Sequence, residues 1–198
     1  YNYILIQMES IKKSLENVTS IGNFAKKYFS YLSKVLESID ENEINKLESM
    51  FLEARNSNKT IFIAGNGGSA TTASTMSNDM GFDILKKTNT YKPFKLLSLA
   101  DNSSVLTAIS NDVGYENIFL NQLKIHYQKD DYLLLISASG NSPNIIKAAN
   151  WVKQRGGKLI GFTGFDGGEL LKICDCNIHV KTNLGEYGPV EDAHLIIN

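Results

Sequence analysis

The run Leu133-Leu134-Leu135-Ile136 constrains the fold more than any other segment. Four consecutive aliphatic residues in one strand need both faces covered. A parallel sheet with helices on each side provides that, and a half-solvated antiparallel sheet does not. Short apolar runs recur at 60–64, 94–99, 158–163 and 177–180, with helical patterns between them at 70–80, 103–110, 115–126, 143–154 and 168–172. Strands alternating with helices predict βαβ units and an open, parallel, five-stranded α/β sheet flanked by helices.

The first third reads differently. Leu15, Val18, Ile21, Phe24 and Ala25, then Tyr28, Tyr31, Leu32, Val35 and Leu36, recur at three- and four-residue steps. A second helix is expected from Asp40 or Glu41 through Ile44, Leu47, Met50, Phe51 and Ala54. Residues 1–58 therefore read as an N-terminal helical extension, and 59–198 as the α/β unit, the two forming one structural body. Helices outside the usual covering of a sheet are expected to pack against another subunit.

Bulk properties exclude several function classes. Lys plus Arg is 20 against 21 for Asp plus Glu, and the basic pairs are isolated, so no nucleic-acid surface is expected. No apolar run reaches the roughly 18 residues that a membrane span requires. The opening Tyr1-Asn2-Tyr3-Ile4-Leu5-Ile6 has neither a basic region nor a small-residue cleavage site, so a cytoplasmic protein is expected. The chain starts without Met and stops at Leu195-Ile196-Ile197-Asn198 in a helical pattern, which leaves room for residues beyond both ends. Cys174 and Cys176, if both on a strand, point the same way at a spacing that strains a disulfide, so two free thiols are expected.

Two segments carry the chemistry. In Ile61-Phe62-Ile63-Ala64-Gly65-Asn66-Gly67-Gly68-Ser69-Ala70 a strand ends, a glycine-rich turn follows and a helix begins. Glycines let backbone N–H groups approach an anion, the helix start favours negative charge, and Ser69 adds a hydroxyl. The spacing Gly65-x-Gly67-x-x-Ala70 also meets the loose dinucleotide fingerprint. That fingerprint wants an acid about 20 residues on, at the end of the second strand. Here that strand ends near Ala100-Asp101, well beyond, and a nucleotide is the weaker reading. Leu135-Ile136-Ser137-Ala138-Ser139-Gly140-Asn141-Ser142-Pro143 repeats the design, with three serine hydroxyls and a proline in the first helical turn. Two such loops at the ends of different strands converge on one crevice. Together they describe a site for a sugar phosphate.

Gly65-Asn66-Gly67-Gly68-Ser69-Ala70, Asn111-Asp112, Ser137-Ala138-Ser139-Gly140-Asn141-Ser142-Pro143-Asn144, the stretch from Leu159 through Gly168, and Val190-Glu191-Asp192-Ala193-His194 resemble the SIS (sugar isomerase) domain of phosphoheptose isomerases. The resemblance implies a homotetramer built through the N-terminal helices. It also implies conversion of sedoheptulose 7-phosphate to D-glycero-D-manno-heptose 7-phosphate for bacterial surface polysaccharide. By position it places the phosphosugar on Asn66, Gly67, Gly68, Ser69, Ser137, Ala138, Ser139 and Ser142, with Asp101 on sugar hydroxyls. In the resembling isomerases a His and a Glu from one helix, and a Gln and a His from the last, bind zinc or sit beside it. Here those positions fall on Thr75, Asp79, Glu191 and a residue past the end of the sequence.

Two expectations follow. In the first, Asp79 and Glu191 form a carboxylate pair across the crevice, with Glu191 the base, His194 beside it on one helix face, and Asp79 and Glu191 the candidate zinc ligands. In the second, Thr75 in place of the imidazole marks a phosphosugar-binding regulator without turnover.

Overall fold

The computed structural model describes residues 10–198, and the opening segment read for a secretory signal lies outside the described residues. Five strands, β1 (Thr60–Gly65), β2 (Lys95–Ser98), β3 (Tyr132–Ser137), β4 (Lys158–Gly164) and β5 (Cys176–Val180), form one sheet in the order β2-β1-β3-β4-β5. Every pairing is parallel, with Phe62 opposite Leu133 and Leu134 opposite Ile160. β3 is central and wholly buried, as its unbroken aliphatic run requires. Each such side chain removed from water contributes about 1.5–3 kcal/mol.

The helices are α1 (Ile11–Ser14), α2 (Ile21–Glu37), α3 (Glu41–Asn56), α4 (Gly68–Met76), α5 (Ile84–Thr88), α6 (Ser103–Val113), α7 (Ile118–His126), α8 (Pro143–Lys153), α9 (Gly168–Ile173) and α10 (Tyr187–Ile197). One face of the sheet packs Met50, Phe51 and Ala54 of α3 and Ala73 and Met76 of α4 against Ile61, Ile63, Leu134, Ile136 and Phe162. The other packs Phe119 and Leu123 of α7 and Ile145, Ala148 and Val152 of α8 against Phe62, Leu133, Leu135 and Leu159. Of the leading helices, expected to serve a partner, α3 covers this chain's own sheet. Tyr31 and Val35 of α2 join Val190 and Ala193 of α10 in a third cluster. Glu186, just before α10, accepts hydrogen bonds from Tyr31, the Ile11 N–H, and the Asn183 backbone and amide. That acid fastens α1 and α2 to the base of α10.

Three local features differ from expectation. The helix after β1 does not stop at residue 80: Ser77–Asp83 is a π-helical stretch leading into α5. The leading helix is broken, with Asn17 at φ 60° and Ser20 capping α2 through the Asn23 N–H. Both thiols are free, yet they face opposite sides of the sheet, because Cys174 precedes β5 and packs with one core while Cys176 packs in the other. Burial pushes both thiols up to about 12.

Candidate functional site

The strand order places the site. From β1 the chain crosses outward to β2, then returns on the other side to β3, so a crevice opens between the carboxyl ends of β1 and β3. α4 leaves β1 on one face of the sheet and α8 leaves β3 on the other. Both helix starts border this crevice.

At the first turn Gly67 sits at φ 55°, ψ −123°, a combination that only glycine adopts readily. Gly65 is forced for a different reason: a Cβ there would lie 2.5 Å from the Ser69 carbonyl oxygen. This close approach buries Ser69, which lines the crevice. At the second turn the Ser137 hydroxyl accepts from the Gly140 N–H at 3.2 Å and lies 3.5 Å from the Ser142 hydroxyl. Ser139 Oγ accepts from the Asn141 N–H at 3.3 Å. Ser142 occupies the N-cap position of α8 with its hydroxyl not spent on the helix, and Pro143 occupies the first turn, where the missing N–H is not needed.

These groups enclose a cleft of about 130 Å³ lined by Asn66, Ser69, Ile136, Ser137, Ala138, Ser139, Ser142, Tyr187 and Glu191. No lysine or arginine lines it. The cleft offers an anion hydroxyls, backbone N–H groups and the start of α8. α10 lies alongside α4 and hangs Glu191 over the first turn, where a Cβ on Gly68 would meet the carboxylate at 2.5 Å. Donors for a phosphate and a carboxylate able to move a proton therefore share one small cleft.

The remaining expected residues fall elsewhere. Asp101, at the end of β2, accepts from Ser98 Oγ at 2.9 Å and from Ser74 Oγ, outside the cleft lining. Gly67 opens onto an adjoining hollow with Ala100 and Tyr115. Asp79 stands exposed on the π-helical stretch, bonded by Asn78 at 2.8 Å, and does not reach the cleft that holds Glu191. The carboxylate pair is thus not assembled within one copy of the chain. His194 is a correction. It is fully buried, its Nε2 lies 3.2 Å from the Thr163 carbonyl and its ring packs on Phe162. Burial pulls this imidazole down to about 4, so it is a neutral core residue.

One polar residue of the cleft lining, Tyr187, and one in the adjoining hollow, Asn144, were not expected. Tyr187 stands four positions before Glu191 on α10, a spacing that could have revealed it, and packs edge-on against Phe165. Asn144 bonds Asn66 across 78 residues, and no local pattern signals that.

Comparison with known proteins accords with this geometry. A model of the SIS domain matches residues 24–164. Phosphoheptose isomerase 2 of Campylobacter jejuni is 35% identical over 185 residues, covering 90% of this chain and 89% of the relative. This chain belongs to the SIS-domain phosphoheptose isomerase family. The phosphoheptose isomerase of Aneurinibacillus thermoaerophilus is 34% identical over 184 residues, 89% of each chain. The phosphoheptose isomerase structure from Neisseria gonorrhoeae shares the fold at a TM-score of 0.78, with 24% identity over 90% of this chain and 94% of that one.

Zinc, which the family resemblance implies, needs three or four converging imidazole, thiolate or carboxylate donors. Thr75 offers only a hydroxyl, Asp79 is turned to its neighbour Asn78, and His194 has Nε2 on a backbone carbonyl and Nδ1 buried outside the cleft lining. Among the described residues no three His, Cys, Asp or Glu side chains converge to hold a metal ion. The residues present do not fit a zinc site.

Proposed function

We propose that this protein is an aldose–ketose isomerase acting on a heptose phosphate, interconverting sedoheptulose 7-phosphate and D-glycero-D-manno-heptose 7-phosphate for surface polysaccharide synthesis. The observation that carries it is the shared cleft, with the serine cradle of α8 at one end and the Glu191 carboxylate at the other. The phosphate is held by Ser137, Ser139 and Ser142. Glu191 removes a proton from C1 of the ketose, giving an enediol, and returns it to C2. The O1 hydroxyl proton moves to O2, so atoms balance without a redox partner. Ser69 and Tyr187 supply hydroxyls beside the developing enediolate. No step runs through a metal.

Supporting an assembly, Ile21 and Phe29 on α2 stay 83% and 65% exposed, so a homotetramer built through these helices is part of the proposal. Sedimentation as a monomer would remove it. No described helix is long and apolar enough to cross a membrane, and a cytoplasmic location is proposed on the activity. Thr75 favours a second reading, a protein that binds the phosphosugar without turning it over. Proton NMR of sedoheptulose 7-phosphate mixed with the full chain separates the two. Accumulating aldose supports the isomerase, and a bound but unchanged ketose supports the binding protein.

A further inference from the structure

Asn66, in the first loop, and Asn144, in the first turn of α8, form a reciprocal amide pair. Asn66 Nδ2 donates to Asn144 Oδ1 at 3.0 Å, and Asn144 Nδ2 donates to Asn66 Oδ1 at 2.8 Å. Alone, such a pair has two equivalent settings, since turning both amides over exchanges every donor for an acceptor. One backbone group removes the choice. The Ile145 N–H is shared between the Ser142 carbonyl and Asn144 Oδ1, each at 3.0 Å. Because a backbone N–H cannot accept, an amide nitrogen turned to that position would face donor with donor. The oxygen of Asn144 is therefore fixed, its amide nitrogen faces Asn66, and the oxygen of Asn66 must face that nitrogen. Tyr115 Oη, 2.9 Å from the same Asn66 oxygen, is then the donor. Asn144 is 2% exposed, so water offers it no alternative partner.

Asn66 Oδ1 already accepts two hydrogen bonds, and one Asn66 N–H is used on Asn144, leaving one N–H. Asn66 lines both the Glu191 cleft and a neighbouring hollow of about 470 Å³ bordered by Tyr115, Glu116, Ser142 and Asn144. We propose that Asn144 is a positioning residue for the cleft: it relays the polarity of the Ile145 N–H to Asn66, so that Asn66 meets the bound phosphosugar as a hydrogen-bond donor and never as an acceptor. A phosphate monoester and its neighbouring oxygens present acceptors, and Glu191 already supplies an acceptor to the same cleft. A reversed Asn66 would set carbonyl oxygen against ligand oxygen. The relay rests on the phosphosugar reading of the cleft but not on turnover.

The test is calorimetric binding of sedoheptulose 7-phosphate to the full chain, wild type beside Asn144→Asp, at about pH 8 and at about pH 4.5, where desolvation at this 2%-exposed position raises the new carboxyl above its ordinary ~3.9 and protonates it. An ionised carboxylate has no proton for Asn66 Oδ1, so the two oxygens repel and the pair breaks. The variant is expected to bind about tenfold or more weakly at the higher pH, the scale of one mis-set hydrogen bond to a charged group. On acidification the new carboxyl gains a proton and offers one acceptor and one donor, the pattern of the amide it replaced. The ratio of variant to wild-type Kd then returns toward one. Glu116, paired with Lys147 at 3.9 Å, and Glu191 face the same region in both proteins and cancel in that ratio. Equal binding at the higher pH, or a defect of the same size at both, overturns the relay. If the variant does not fold, Asn66→Asp replaces the N–H presented to the ligand by an acceptor, with binding about tenfold weaker expected at about pH 8 and unchanged binding overturning the proposal. A wild type that binds without turnover refutes the isomerase and leaves the relay standing. One that binds no sugar phosphate overturns both.

Discussion

Gly68→Ala separates the catalytic geometry from the stability of the fold. The new Cβ would lie 2.5 Å from one Glu191 oxygen, 2.6 Å from Cδ and 2.8 Å from the other oxygen. Ordinary contact begins near 3.4 Å, so the carboxylate must retreat by ~0.9 Å. The end of a glutamate side chain can do that cheaply. Alanine at a helical position is also favoured over glycine by about 0.5–1 kcal/mol. The two effects nearly offset, and the thermal midpoint is expected to stay close to wild type. Activity is expected to fall steeply, because a displacement of about 1 Å at a reacting group can reduce the rate about 100-fold. Turnover of sedoheptulose 7-phosphate and a thermal melt, run on the same preparation, give both numbers. A variant with wild-type kcat/KM would refute the placement of Glu191 as the proton-moving group. A variant that loses activity only because it unfolds would refute the expected balance between the Cβ contact and the helix preference.

Other expectations follow from the same structure. Ser139→Ala and Ser142→Ala each remove a hydroxyl from the cradle, and KM for the phosphosugar should rise about tenfold, with a smaller effect on kcat. Tyr31→Phe takes one donor from the buried Glu186 carboxylate and should lower unfolding free energy by about 1–3 kcal/mol in denaturant titration. His194 has a folded pKa of about 4 against an ordinary 6.5 because burial disfavours the charged ring. The unfolded state therefore takes up the proton first, so stability is level above pH 6.5 and declines as pH falls toward 4. The decline from this group reaches at most about 3 kcal/mol. Burial lowers His179 as well, which adds in the same direction. His194→Phe should flatten the decline, as read from denaturation midpoints across that interval.

The parallel sheet was legible because an unbroken run such as Leu133 to Ile136 has one way to be buried. The two loops were legible because glycine and serine at a strand end have a specific backbone use. What failed was information carried by angle and distance rather than by residue type. His194 follows Glu191 by three positions, which suggested a shared face, yet the edge of the cleft falls between them and one side chain is fully buried. Ser77–Asp83 keeps a helical pattern while its hydrogen bonding widens to the π form, so Asp79 points away from where four-residue spacing places it. α3 looked surplus to the sheet, and its apolar stripe of Met50, Phe51 and Ala54 instead fills one face. The Asn66–Asn144 pair joins distant loops and is invisible to any local pattern.

The most direct test of the account is a coupled assay of sedoheptulose 7-phosphate with the full-length protein and its Glu191→Gln variant, each also checked for substrate binding. The predicted result is heptose 7-phosphate formation by the wild type, lost in the variant while binding persists. Binding without product in the wild type, or undiminished turnover in Glu191→Gln, would contradict it.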